Sequence, residues 1–182
     1  MKKRIFCIIT FIALLITAFS LTACDDKDDN SDNLTVADCV FTSFTAEDFD
    51  GNIIDETVFT GYKVTMINVW GTYCPPCKTE LPELAELNAG YSNSGFQIIG
   101  IPVDANHQTA ADAKELIEET GANYRHIRIS SSIKSFISEI KGVPYTIFVN
   151  EEGKQIGSAV SGAKSKADWK TLIDKMLEFV SE

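Results

Sequence analysis

The chain has 182 residues, of which 45% are hydrophobic, and a formal charge of −10. That length is enough for one globular domain with a substantial core. The acidic balance argues against a nucleic-acid ligand, whose phosphates need Lys and Arg to neutralise them.

The first 23 residues stand apart from that domain. Lys2, Lys3 and Arg4 make a positive start, Ile5 to Phe19 is uncharged and apolar, and Leu-Thr-Ala-Cys follows at 21–24. This is the pattern of a secretory signal peptide. Its ending resembles a bacterial lipobox, whose cysteine, here Cys24, becomes the lipid-modified first residue. The mature chain is then 24–182 with a charge of −10 − 3 = −13, because the removed segment holds three basic residues and no acids. An uncleaved membrane helix is the competing reading, since residues 5–23 give 19 uncharged positions. Either way the domain is expected outside the cytoplasm at a membrane surface. Residues 25–33, DDKDDNSDN, carry no apolar side chain and cannot offset the entropy of ordering. The expected organisation is a lipoprotein signal peptide over 1–23, an acidic flexible linker over 24–36 and one domain over 37–182.

Within the domain, residues 39–54 hold short β-prone runs around Asp50-Gly51, a hairpin signal. Residues 63–70, KVTMINVW, read as a buried strand. Leu81, Leu84, Ala85 and Leu87 recur at helical spacing, so a helix covers 79–89. A second buried strand follows at 95–103, then a helix over 110–119 ended by Gly121. Residues 124–130 alternate like a strand, and 131–140 read as a short helix opened by serine. An antiparallel pair over 145–150 and 155–160 precedes a closing amphipathic helix over 166–180. Its apolar face carries Trp169, Leu172, Ile173, Met176, Leu177 and Val180. The order ββ-β-α-β-α-β-α-β-β-α implies an α/β fold with a central mixed sheet.

The chemistry concentrates at Cys74-Pro75-Pro76-Cys77. Covalent haem attachment needs His after the second Cys, and Lys78 stands there. A structural zinc site needs about four ligands; there is no second Cys pair, and His107 and His126 fall on other segments. A structural disulfide across two residues would remove little unfolded-state entropy. A redox dithiol fits the setting best. Cys74 falls where a buried strand ends and a helix begins, so free N–H groups and the helix dipole stabilise a thiolate there. Cys77 lies about one helical turn further on, within reach of a mixed disulfide on Cys74. Cys74 is then the exposed nucleophile and Cys77 the resolving thiol. Pro75 has no N–H to offer the thiolate. No cofactor or metal is called for.

The run Trp70-Gly-Thr-Tyr73-Cys74-Pro-Pro-Cys77-Lys resembles the active site of the thioredoxin superfamily, most of all its membrane-anchored TlpA/ResA-type thiol-disulfide oxidoreductases. Four further features match: the 39–54 hairpin as that group's N-terminal extension, Pro82 as its helix-kinking proline, Gly-Val-Pro-Tyr-Thr at 142–146 as its cis-proline loop, and the closing strand pair and helix. The resemblance covers roughly 39–180. It implies a thioredoxin fold in which Pro144 lies against the cysteines and the backbone of Val143 pairs with an extended substrate peptide; a plain loop proline is the alternative. Trp70 and Tyr73 would shield the dithiol and support substrate docking, or simply pack. The position six before the first Cys holds Asn68 where cytosolic thioredoxins have a buried Asp. Glu80, three residues after Cys77 on the same helix face, resembles the acid that this group keeps near its dithiol. Partly buried, with a pKa raised by desolvation, it would exchange a proton with Cys77; as one of the acidic row Glu80, Glu83, Glu86, it would merely be solvated. Cys39 reads as a small buried residue of the first strand or as a third redox centre.

The function implied is an anchored reductase of protein disulfides, a monomer recharged by a membrane electron donor of the CcdA/DsbD kind and held to the bilayer through Cys24. Alternatives are a thiol peroxidase, which needs Thr-x-x-Cys where this chain has Thr72 two before Cys74, and a non-catalytic binding lipoprotein.

Overall fold

The computed structural model describes residues 34–105 and 109–182. The signal segment, Cys24 and the linker up to residue 33 lie outside the described residues, as does His107. Among the described residues, eight strands and four α-helices alternate much as the pattern implies. The strands are β1 (Val36–Ala37), β2 (Thr45–Glu47), β3 (Ile53–Asp55), β4 (Val64–Trp70), β5 (Phe96–Pro102), β6 (Arg125–His126), β7 (Tyr145–Val149) and β8 (Gln155–Ser161). The helices are α1 (Pro75–Gly90), α2 (Ala110–Thr120), α3 (Lys134–Glu139) and α4 (Lys166–Phe179).

Six strands form one mixed sheet in the order β1-β8-β7-β4-β5-β6. β4 runs parallel to β5 and antiparallel to β7, and every residue of β4 is buried. That accounts for its unbroken apolar run: both faces of a central strand are covered. Alternate residues divide between two cores. Met66 and Trp70 of β4 join Ile98 and Phe148 beneath Leu81 and Leu84 of α1 and Trp169 and Ile173 of α4. Ile67 and Val69 join Ile99, Ile147 and Val149 beneath Phe41, Phe44, Phe59 and Ile133. The aromatic rings of the second core meet edge to face, Phe41 with Phe44 at 5.3 Å and with Phe136 at 5.4 Å.

The hairpin β2–β3 forms a sheet of its own, closed around Asp50-Gly51 as its signal implies. Gly51 takes φ +86°, which a side chain would resist. Asp48 fixes the turn by accepting from the N–H groups of Asp50 and Asn52, both at 2.9 Å.

Four local expectations are corrected. The linker boundary at 36 falls too late: Val36–Ala37 pair with β8, and Leu34 packs on the core. Cys39 is not in a strand; it precedes a 3-10 turn, Val40–Thr42, and its Sγ donates to Gly153 O at 3.1 Å. The strand expected over 124–130 shrinks to two residues, after which Ile127 forms only an isolated bridge to Asp48. α3 starts after Ile133 with no serine cap, because Ser132 Oγ is engaged with the backbone of Thr45.

Candidate active site

The end of β4 and the start of α1 bring the cysteines together. Cys74 is the N-cap of α1 in extended conformation, with Pro75 and Pro76 as the first two helical residues. Proline is tolerated there because first-turn N–H groups have no partner within the helix. Cys74 and Cys77 form a disulfide, with Cα atoms 5.3 Å apart. Cys77 N–H donates to Cys74 Sγ at 3.3 Å. Neither sulfur-bearing residue is open to solvent in this state: Cys74 is 4% exposed and Cys77 1%. The expected exposed Cys74 is therefore corrected to a shallowly buried one, capped by the loop before β7.

That loop carries a cis peptide bond between Val143 and Pro144. Val143 O lies 3.5 Å from Cys74 Sγ. Pro144 is buried and Val143 half-buried. Tyr73 is 67% exposed at the rim, where a docked chain can touch it. Trp70 is not: it is fully buried. Its expected contact with substrate is corrected to a supporting one. Trp70 Nε1–H donates to His126 Nδ1 at 3.3 Å, so His126 carries its proton on Nε2 and donates to Ala122 O at 3.0 Å. Burial lowers the His126 pKa from 6.5 to about 4, keeping the ring neutral. Gly100 makes room for this pair, since a Cβ there would fall inside contact distance of the His126 ring and 3.1 Å from Trp70 Nε1.

Beneath the dithiol sits Glu80, one turn beyond Cys77 and 3% exposed. Oε1 accepts from Trp169 Nε1 at 2.7 Å and from the backbone N–H of Lys164 at 3.0 Å. Oε2 accepts from Asn68 Nδ2 at 3.4 Å, and the same amide reaches Thr146 Oγ1 at 3.2 Å. Burial pushes the Glu80 carboxyl above its ordinary range; the three donors pull back, and the net shift is upward. This is a buried acid with a raised proton affinity on the face of α1 that carries Cys77, not a solvated member of an acidic row. The ring of donors around it had no local signal: Asn68, Lys164 and Trp169 lie 12, 84 and 89 positions away.

Thr72 is occupied elsewhere. Its N–H donates to both oxygens of Asp104, at 3.1 and 3.2 Å, and its hydroxyl donates to Asp104 Oδ2. That pins the turn before Cys74 to the segment after β5.

A sheet of this order, a Cys pair at a helix N-terminus and a cis-proline loop against it agree with what known proteins show. Residues 38–159 match the model of the AhpC/TSA family. The chain belongs to the AhpC/TSA family. It is 26% identical over 139 residues to the thiol-disulfide oxidoreductase ResA of Halalkalibacterium halodurans, covering 76% of this chain and 73% of that one. With ResA of Bacillus subtilis it shares 23% over 166 residues, covering 91% and 89%. Among solved structures, the thioredoxin domain of a thiol-disulfide oxidoreductase from Bacteroides vulgatus superposes with a TM-score of 0.61 at 25% identity, over 79% of this chain and 96% of that one. A thioredoxin-family thiol:disulfide interchange protein from Chlorobium tepidum gives 0.65 at 24%, over 80% and 97%, and supports the fold. Within its family the chain is thus of the TlpA/ResA type, a thiol-disulfide oxidoreductase on a thioredoxin fold.

Proposed function

We propose that the protein is an extracytoplasmic, membrane-anchored reductase of protein disulfides, with Cys74 as nucleophile and Cys77 as resolving thiol. The observation that carries this reading is the pairing of the Cys74–Cys77 disulfide at the N-terminus of α1 with the Val143 carbonyl lying over Cys74 Sγ.

The steps follow from that geometry. In the reduced protein the Cys74 thiolate, favoured by the helix N-terminus, attacks one sulfur of a client disulfide. A mixed disulfide forms and the client's other sulfur leaves as a thiolate. Cys77, now deprotonated, attacks Cys74 Sγ. The Cys74–Cys77 bond closes and the second client sulfur leaves. Two electrons pass to the client, whose leaving thiolates take up two protons. Glu80 is the proton acceptor for Cys77, since it is a buried acid with raised affinity one turn away. A membrane dithiol donor of the CcdA/DsbD kind would return the pair to the reduced form. Val143 and Pro144 would receive the client backbone, with Tyr73 at the rim. Cys24 would hold the monomer to the outer face of the cytoplasmic membrane.

The peroxidase reading loses its activating threonine: both polar groups of Thr72 are turned to Asp104 rather than to the sulfur. A Cys77→Ala variant is expected to trap clients as mixed disulfides on Cys74, and the wild-type reduction potential to lie near that of thioredoxin, about −270 mV. A value near that of DsbA, about −120 mV, with no trapped client would overturn the reductase. For the anchor, a fatty-acid probe should label the wild-type chain and not Cys24→Ser.

A further inference from the structure

Close to the acid that serves Cys77, two buried polar atoms have no partner among the described residues. Tyr124 is 8% exposed, and its hydroxyl is buried and unbonded. Asn68 is 1% exposed; its Nδ2 serves Glu80 and Thr146, while its Oδ1 is unbonded. Buried polar groups are nearly always satisfied, so each such atom calls for an explanation. The two are complementary, since the hydroxyl can donate and the amide oxygen accepts. Phenylalanine would fill the place of Tyr124 without a hydroxyl to desolvate, so packing alone does not account for the tyrosine.

The sheet sets both residues on one face. Asn68 pairs with Gly100 across β4 and β5, and Gly100 with His126 across β5 and β6. Met66 and Trp70 face the core under α1, so Asn68, between them at the strand period of two, faces it as well. Tyr124 lies in that same core with Cys77 and Leu81, its ring stacked on the His126 ring at 4.6 Å. Asn68 Nδ2 is directed to Thr146, its register partner on β7. The planar amide then turns Oδ1 the other way, toward the side of β5 and β6. Burial first, and then the Glu80 charge, raise the Tyr124 pKa, so the hydroxyl stays protonated, a donor within the field of that carboxylate.

We propose that Tyr124 is a positioning residue for the resolving step: its hydroxyl donates through one buried water to Asn68 Oδ1 and so holds the Asn68 amide with Nδ2 toward Glu80. A buried water needs about two to four polar partners, and Tyr124 and Asn68 supply the first two. The inference rests on the reading that Glu80 takes the Cys77 proton. An ionised Glu80 accepts from Nδ2; a protonated Glu80 would be better served by a turned amide that presents Oδ1. A donor held at Oδ1 opposes that turn. Tyr124 therefore favours the ionised acid, which is the form able to accept the Cys77 proton. The other titratable groups that face Glu80 are Cys77 and Glu83 on its own helix. Trp169 of α4 meets it through Nε1–H and Lys164 through its backbone N–H, and the Thr146 hydroxyl of β7 shares the Asn68 amide. His126, stacked on Tyr124, is neutral.

The test mixes the full-length reduced protein with a small aromatic disulfide in stopped flow over a range of pH. The first aromatic thiol released reports attack by Cys74, and the second reports attack by Cys77 on the mixed disulfide. In Tyr124→Phe the pH profile of the second phase should move up by about half to one pH unit, as one lost hydrogen bond implies. Below the midpoint that is a slowing of about threefold to tenfold, with the first phase unchanged. In an Asn68→Ala background the same exchange should have no further effect. Should Asn68→Ala not fold, the Asn68 side-chain NH₂ resonances decide instead, and they should move in Tyr124→Phe. The urea midpoint of Tyr124→Phe should also fall, because a satisfied buried hydroxyl stabilises and an unsatisfied one does not. The inference is overturned by an unmoved second phase, by equal slowing of both phases, by the same shift without Asn68, by unmoved Asn68 resonances, or by a urea midpoint that does not fall. Glu80→Gln separates the two readings. If it flattens the second-phase profile and Tyr124→Phe leaves that profile alone, Tyr124 alone loses its role. If it leaves the profile as in wild type, the Glu80 reading falls and the Tyr124 inference with it.

Discussion

Replacing Pro76 by alanine is expected to make the dithiol more oxidising. Cys74 caps α1, and a cap acceptor is served by the N–H of the second or third helical residue. Here the second is Pro76, so only Cys77 N–H reaches the sulfur, at 3.3 Å. The sequence directs attention to Pro75, but the cap geometry moves the missing donor to Pro76. Alanine there restores one N–H aimed at Cys74 Sγ. A hydrogen bond to a charged acceptor contributes about 1.5–3 kcal/mol. Sulfur is a weak acceptor, so about 1.4 kcal/mol is the reasonable value. That is about tenfold in the thiol–thiolate equilibrium and, for a two-electron couple, about 30 mV upward in reduction potential. The sign follows from which state gains. The new bond favours the thiolate, which exists only in the reduced form, so the gain is present above the Cys74 pKa and vanishes as pH falls through it. Equilibration with a glutathione buffer at neutral pH, read by thiol trapping, measures the potential. The pH dependence of Cys74 alkylation measures the thiolate. An unchanged or lower potential with an unmoved alkylation profile would refute the argument.

Glu80→Gln should keep the fold, since the carbonyl of the substituted side chain can still accept from Trp169 and Lys164, and the Asn68 amide can turn its unpartnered Oδ1 toward the new NH₂. Because burial raises the Glu80 pKa above 4.5, the native state holds this proton more tightly than the unfolded chain. The acid's contribution is therefore full below pH 4.5 and lost as pH rises through the native value. Urea melts of wild type minus Glu80→Gln should show that decline, and the variant should also lose the pH dependence of the Cys77 step; a flat difference and an unaltered rate profile would leave Glu80 no role. Gly100→Ala should cost about 1–3 kcal/mol by overpacking, because its methyl displaces the His126 ring and breaks the bond to Trp70. Chemical denaturation followed by tryptophan fluorescence reads both the loss and the altered environment of Trp70.

Much of the site was legible because its chemistry is local. Two cysteines three apart, after an apolar run of strand length and before leucines at helical spacing, fix a thiol pair at a helix N-terminus. The Asp50-Gly51 hairpin and the Gly121 helix stop were legible for the same reason: each needs only its own backbone angles. Less was legible where a residue's role depends on what lies across the fold. Trp70 reads as shielding the dithiol and supporting docking, or as simply packing; as the last residue of a strand covered on both faces it is buried against His126. A serine reads as opening the helix over 131–140, but the helix starts only after Ile133, and a tertiary bond to Thr45 claims the Ser132 hydroxyl.

The sequence by itself determined the order of strands and helices, an α/β fold with a mixed sheet and the pair Cys74 and Cys77, because periodicity and turn chemistry act over a few residues; the thioredoxin fold was implied by the resemblance of the motif to that superfamily. Only the tertiary structure decided that Glu80 is buried rather than solvated, since desolvation and the donors on Asn68, Lys164 and Trp169 come from segments far along the chain.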